Sequence, residues 1–366
     1  MKPQDLFFYI ATSMLQAVGP IKAKQLISYL GSPEQIFKES SKNLSKIPYV
    51  GPSIVKEIKE KNVLTLAEQE MDFVTKNNIS TLVYTEEEYP FRMKNCEDAP
   101  LLFYYKGDIN FNQSKFISIV GTRNATEYGR QCCKNLIEGL KEHNPIIVSG
   151  LAFGIDACAH REALAAGLQT VAVLGSPLTN VTPASHTELA KAITKQGCVL
   201  TEYHTKTTLD KKLYVRRNRI IAALSDATIV VESKIQGGAL ITADFAMQYN
   251  RDVCTFPGNA GNKFSQGCNA LIKKNCAALI EDASDLERIL NWDIQDKKPI
   301  QSEMFVNLSH EEQMLINYLD ENPDSPIDKI AIECSIPMSK LSAILLNLEF
   351  KGLLTRLPGS CFRSIH

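Results

Sequence analysis

Seven short apolar runs recur between Lys115 and Asn291: FISIVG, PIIVSG, TVAVLG, CVLTEY, ATIVVES, DVCTFPG and CAALIE. Amphipathic stretches of helical length separate most of them. The runs are apolar at successive positions, rich in β-branched residues, and most are bounded by Gly. Strands of that kind are buried on both faces, not half-wetted. Alternation with helices then predicts an α/β protein built on a doubly wound, Rossmann-type parallel sheet with right-handed crossovers.

The chain is 366 residues long, more than one ordinary core needs, so two or three domains are expected. Residues 1–75 read as short helices punctuated by Gly and Pro. They hold a small repeat, AVGPIKAKQL at Ala17–Leu26 and YVGPSIVKEI at Tyr49–Ile58. Val-Gly-Pro before a helical apolar spacing is the form of a helix-hairpin-helix (SAM-like) domain. Such a turn exposes amides that can hold a phosphate; the plainer reading is a helical bundle whose Gly-Pro only starts a helix. Residues 76–291 form the expected Rossmann-type domain, entered through an extended lead-in with ISTLVY and LLFYYKG as strands. Residues 292–307 read as a polar linker. Residues 308–366 carry three helical patterns and a short ribbon, a winged helix, with Leu341, Ile344, Leu345 and Leu348 as the buried face of the third helix.

Net charge is −1, so any polyanion site must be local. The 10 cysteines include no Cys-x-x-Cys pair, which points to reduced, buried thiols in a cytoplasmic protein without a zinc site. The apolar start is interrupted by Asp5 and Gln16 and lacks the pattern of a signal peptide. No uncharged run of membrane-spanning length is present, so no membrane partner is expected.

Nearly every core run ends in a small residue or a turn, among them Gly121, Gly150, Gly175 and Gly258. In an open parallel sheet these carboxyl ends share one edge, where ligands bind at the switch point. Helix N-termini beside them favour anions. The turn VGTRNATEYG sets Arg123 just past a strand, where a guanidinium can fork onto a phosphate. In VSGLAFGIDACAH, Ser149, Gly150 and Gly154 make an amide-rich nest. Asp156 and His160, one helical turn apart, either cap and order that loop or form a dyad; no nucleophile lies beside them in sequence. The segment KKLYVRRNRIIAALSD carries Lys211, Lys212, Arg216, Arg217 and Arg219 without an acid, and Tyr214 among them. Cations neutralise phosphates and an aromatic gives a base a stacking face. Alternatively, some of these arginines pair with Glu202 or Glu232. Gly237 and Gly238 open a further helix, again a phosphate-ready end.

Neither a Gly-x-Gly-x-x-Gly after the first strand nor a Gly-x-x-x-x-Gly-Lys-Ser/Thr is present, so no nucleotide cofactor is expected. An enzyme of the phosphoribohydrolase kind would need a carboxylate near the Gly-Gly turn, and GGALITADFA offers only Asp244.

Taken in order, VGTRNATEYG, SGLAFGIDACAH, TVAVLG, RRNRIIAALS, GGALITADFA and FPGNAGNKFSQGCNALI resemble the DNA-processing protein A family, also called Smf. The resemblance runs over most of the chain. It implies a non-catalytic protein that binds single-stranded DNA as a homodimer through the Rossmann-type domain. It also implies protection of incoming DNA in natural transformation and loading of the RecA recombinase onto strands coated by single-strand-binding protein. The implied DNA contacts are Arg123; Ser149 and Gly150; Arg216, Arg217, Asn218 and Arg219; and Gly237 and Gly238, and the residue reading above adds Gly121, Lys211 and Tyr214 to the expected site. Tyr214-Val215 stands where the family usually has Phe-Pro, which keeps a ring and loses a Pro-set turn. The loop LGSPLTNVTP, Leu174–Pro183, lacks the usual Gly and Asp, so the resemblance carries no contact into it and leaves open whether it touches DNA. In the terminal domain, Lys340 and Lys351 stand in an otherwise apolar and acidic recognition helix, a poor groove reader. A protein-contact role fits it better.

Overall fold

Each of the seven core runs forms a strand, and all lie in one nine-stranded sheet. The computed structural model describes residues 2–292, 308–357 and 360–364. The chain makes two compact units, residues 1–294 and 295–366. The strands are β1 (Ser80–Val83), β2 (Leu102–Gly107), β3 (Phe116–Val120), β4 (Ile146–Ser149), β5 (Thr170–Val173), β6 (Gly197–Thr201), β7 (Ala227–Val230), β8 (Asp252–Thr255) and β9 (Ala278–Leu279). Their spatial order is β1-β2-β6-β5-β4-β3-β7-β8-β9, with β3 to β9 parallel. The lead-in does more than pack on this sheet. β2 pairs antiparallel with β6, and β1 with β2. Without them β6 would be an open edge, a template for unwanted pairing.

Central β3 shows why the runs are apolar throughout. Phe116 and Val120 enter one core and Ile117 and Ile119 the other, all fully or nearly fully buried. Side chains alternate across a strand, so a strand covered on both faces needs apolar residues at both parities. Each such burial contributes about 1.5–3 kcal/mol. Ser118 is the exception and bonds the Thr228 hydroxyl at 2.7 Å.

Helices α8 (Glu127–Gly139), α9 (Ile155–Ala165), α10 (Thr187–Ile193) and α14 (Ala283–Ile289) cover the Ile117 face. Helices α11 (Lys211–Leu224), α12 (Gly238–Gln248) and α13 (Gln266–Lys273) cover the Phe116 face. A short α7 (Phe91–Lys94) sits in the lead-in, where buried Arg92 bonds Asp226 through Nε at 2.6 Å and Nη2 at 2.9 Å.

Before the sheet come α1 (Pro3–Ser13), α2 (Pro20–Leu30), α3 (Pro33–Lys38), α4 (Ser41–Leu44), α5 (Pro52–Lys59) and α6 (Lys61–Lys76). Their core continues into β1 and β2 through Val83, Leu102 and Tyr104. Both repeat glycines, Gly19 and Gly51, are extended N-caps with Pro at the first helical position. Neither has a left-handed backbone, so they start helices as Pro at that position favours.

The second unit is a winged helix. It contains α15 (His310–Glu321), β10 (Ser325–Pro326), α16 (Ile327–Glu333), α17 (Met338–Phe350), β11 (Leu354–Leu357) and β12 (Cys361–Ser364), with the strands in order β10-β12-β11. Leu341, Leu345 and Leu348 form the buried face of α17, with Ile344 at its margin. Ser309 and Glu312 close a reciprocal capping box on α15. Of the expected linker, only Trp292 falls among the described residues, and it is packed against the α8/α14 core.

Candidate functional site at the strand ends

From β3 the chain steps outward through β4, β5 and β6, then returns to place β7 on the other side of β3. That reversal is the topological switch point, and crevices form there. A cleft of about 640 Å³ opens at this place. Its walls are the turns after β3 and β4, the start of α12, and one face of α11.

The two turns are locked together. The Thr122 amide donates to the Glu232 carbonyl at 2.8 Å, and the Ile155 amide donates to the Thr122 carbonyl at 3.2 Å. Gly154 has φ +79°, and a Cβ there would overlap the Thr122 carbonyl and the Arg123 backbone. Conformation and space both demand glycine. Glu232 is buried and accepts from the Thr126 amide at 2.9 Å and hydroxyl at 2.6 Å, fixing the start of α8. It therefore orders a turn and, among the described residues, pairs with no arginine.

Asp210 caps α11 by accepting from the Lys212 amide at 3.0 Å. On that helix Lys211, Tyr214, Asn218 and Ile221 share the cleft-facing side, with Val215 and Arg217 beside them. Arg217 is buried in the floor, where its Nη1 donates to the carbonyls of Gly150 and Val173. A Cβ on Gly150 would lie 2.5 Å from that guanidinium, so any side chain there would have to displace Arg217 from its place. Asp156 shares the floor. Burial raises its carboxyl pKa, while Arg217 and, more weakly, Arg123 draw it back toward the charged form. The Asn218 amide donates to the Gly238 carbonyl at 3.4 Å, tying α11 to the start of α12.

Of the twelve residues expected at the site, the cleft brings together Gly121, Arg123, Gly150, Lys211, Tyr214, Arg217, Asn218, Gly237 and Gly238. The other three lie elsewhere. Ser149 is fully buried at the end of β4, and its hydroxyl donates to the Ile119 carbonyl at 2.6 Å. Arg216 is exposed and outside the cleft lining. Arg219 is buried on the far side of α11, where its Nη2 donates to Glu202 and its Nε lies 3.9 Å from Asp98. Tyr249 donates to the same Asp98 at 2.7 Å. The reason is geometric. Successive residues of a helix are about 100° apart, so a contiguous run of arginines cannot share one face.

Further residues join the cleft without having been expected there: Asn124, Phe153, Thr182, Pro183 and Lys234. The resemblance carries no contact into the Leu174–Pro183 loop, and the structure places Thr182 and Pro183, joined by a cis peptide, in the cleft wall. A sequence signal existed for Phe153, a large aromatic between the two glycines of the SGLAFG nest, and for Lys234, directly after β7. Phe153 is 49% exposed, with its ring edge-on to His186.

Asp156 and His160 do not form a dyad. Asp156 accepts from the Ala152 amide at 3.4 Å. His160 Nδ1 donates to Thr170 Oγ1 at 2.7 Å, since that hydroxyl itself donates to the Ile147 carbonyl. Burial, aided by Arg217, pushes the His160 pKa down to about 3, so the ring is neutral. Asp244 is exposed and outside the cleft.

Four cations, Arg123, Lys211, Arg217 and Lys234, line the cleft against one carboxylate, Asp156. Among the described residues, Arg123, Lys211 and Lys234 have no ion-pair partner. The α12 N-terminus adds unpaired amides at the same wall, and Gly238 faces open space.

A Rossmann-type sheet with a cation-lined cleft at its switch point defines an α/β protein whose cleft is suited to phosphate-bearing ligands. Residues 80–291 match the family model described as DNA recombination-mediator protein A, and residues 306–360 match the DprA winged helix domain. The chain belongs to the DNA recombination-mediator protein A family. Protein Smf of Escherichia coli is 31% identical over 76% of this chain and 75% of its own length. Protein Smf of Synechocystis is 27% identical over 98% of each. The X-ray structure of DprA from Streptococcus pneumoniae superposes with a TM-score of 0.66 at 28% identity, over 79% of this chain and 98% of that one. DprA from Helicobacter pylori, whose structure describes its single-stranded DNA binding mode, gives 0.53 at 28% identity over 59% and 96%.

Proposed function

We propose that this DNA-processing protein holds single-stranded DNA in the strand-end cleft and acts in the cytoplasm as a non-catalytic recombination mediator. One observation carries the reading: unpaired cations and free helix-start amides converge on a cleft that also presents the rings of Tyr214 and Phe153. In this reading Arg123 and Lys211 bind phosphates, the Gly238 amide at the start of α12 binds another beside Gly237, whose own amide is held by the Lys234 carbonyl at 3.0 Å, and the two rings stack on bases. Arg217 supplies fixed positive charge from the floor. Arg219 orients α11. The assembly is a homodimer that delivers its strand to RecA and meets single-strand-binding protein only through the DNA. The fold relationship to the Helicobacter protein supports the choice of single strands.

The decisive experiment is an anisotropy titration of oligothymidine against duplex of the same length at several salt concentrations. Tight, salt-sensitive binding to the single strand with weaker duplex binding is expected. Equal affinity for both forms would overturn the reading. Faster RecA assembly on strands coated by single-strand-binding protein tests the mediator role; no acceleration would remove it and leave the binding site standing.

A further inference from the structure

Arg123, Asn124 and Phe153 line two hollows at once. On one side is the strand-end cleft. On the other is a second hollow of about 760 Å³ beside the first turns of α8 and α9. This second hollow adds Arg130, Arg161 and Glu162 to the shared residues. Three guanidinium groups thus face one carboxylate.

The cations of this hollow are lightly held. Arg161 is exposed and has no hydrogen-bond or ion-pair partner among the described residues. Arg130 is anchored by its Nη1, which donates to the Ala125 carbonyl at 2.8 Å. Its Nε reaches Glu127 at 3.1 Å, but that carboxylate is 84% exposed and the pair is screened by solvent. Guanidinium forks left free around a concavity are suited to phosphate oxygens. Apart from Phe153, which it shares with the first cleft, its lining offers no ring on which a base could stack. The ridge between the hollows is Phe153, half-exposed, with Arg123 beside it.

We infer that this hollow is a second, backbone-reading subsite for the same strand. The strand leaves the base-stacking cleft, crosses the Phe153 ring, and lays its next phosphates against Arg130 and Arg161. This rests on the proposed binding of single strands in the first cleft. It makes the binding footprint bipartite, with bases read on one side of Phe153 and only backbone on the other.

The test compares oligothymidines of about six and about twenty nucleotides, lengths chosen around the site sizes of single-strand binders. The protein is the full chain and its variant Arg130→Ala/Arg161→Ala. The variant is expected to bind the short strand as the parent does and the long strand about fivefold or more weakly. Its salt slope on the long strand should fall by about 0.7 for each phosphate that is no longer neutralised. The variant Arg130→Lys/Arg161→Lys keeps the charge and should keep most of the slope. An unchanged affinity and slope on the long strand would overturn the inference. So would an equal loss on both lengths, because that marks damage to the first cleft. Arg123→Ala serves as the separate control. If it weakens neither length although the parent binds both, the reading of the first cleft fails and not merely this extension.

Discussion

In the winged-helix unit, Lys340, Lys351 and Arg363 each end on a carboxylate, at Glu311, Glu312 and Asp324. In the strand-end cleft, Arg123, Lys211 and Lys234 end on none among the described residues. The two units do not differ in owning basic residues. The three winged-helix cations differ from the three in the cleft in that the fold has already supplied their counter-charge, although Lys329 and Arg356 of the same unit have no carboxylate partner among the described residues. The exposed side of α17 shows apolar groups instead, with Leu346 52% and Phe350 82% exposed. A helix so furnished suits a protein surface better than a phosphate backbone. Arg219 shows that the distinction does not follow sequence neighbourhood. It lies two residues from Arg217 yet belongs with the paired cations.

Arg219 offers the largest test of that contrast. Changing Arg219→Ala leaves the largely covered Glu202 without the guanidinium that serves its Oε2, and its Oε1 has no hydrogen-bond partner to begin with. A loss of about 3–5 kcal/mol in urea unfolding is expected. Weakened DNA binding at undiminished stability would put Arg219 back among the ligand contacts.

Acid offers a second, somewhat smaller effect. Burial pushes His160 down to about 3 and His204 to about 4. The unfolded chain protonates both rings near the ordinary value of about 6.5, while the folded chain resists. Stability is therefore full above about pH 7 and falls as pH drops through 6.5 toward 4, by a few kcal/mol in all. Unfolding midpoints measured from pH 7.5 to 5 check this. A flat profile would mean that both rings are solvated.

Removing unpaired cations should act on binding and spare the fold. Arg123→Ala with Lys211→Ala is expected to lower oligothymidine affinity about 10–100-fold, roughly 1.4–2.8 kcal/mol, with an unfolding curve like the parent's. The smallest effect is expected in the winged helix. Lys340→Ala with Lys351→Ala should change single-strand affinity by less than about twofold, since surface pairs already neutralise these groups. A tenfold loss there would erase the contrast between the units.

Much of the fold was legible. Strands such as Phe116–Val120 announce themselves because burial on two faces leaves no room for polar residues. Gly-Pro marked the starts of α2 and α5, where tight turns ending at Val18 and Val50 lead into glycines with an ordinary extended backbone. The pairing of β2 with β6 was not legible, since a strand's sequence does not name its neighbour. The site was legible in outline. Arg123 and Gly237-Gly238 sit just beyond strands, where topology alone brings them to the edge. The RRNR run misled because its residues read as one patch along the chain, and the partners that bury Arg219, Glu202 and Asp98, are remote in sequence. Thr182 and Pro183 reached the wall through a loop whose path no local pattern encodes.

Gly154 leaves the loop after β4 no freedom to stand off from the turn after β3, because its α-carbon is seated on the backbone of Thr122 and Arg123. Preorganisation follows. The ordering of these two turns is completed when the chain folds, so a ligand does not have to impose it. In the proposed binding mode the protein would act as a mould, and most of the entropy given up on association would belong to the flexible DNA strand.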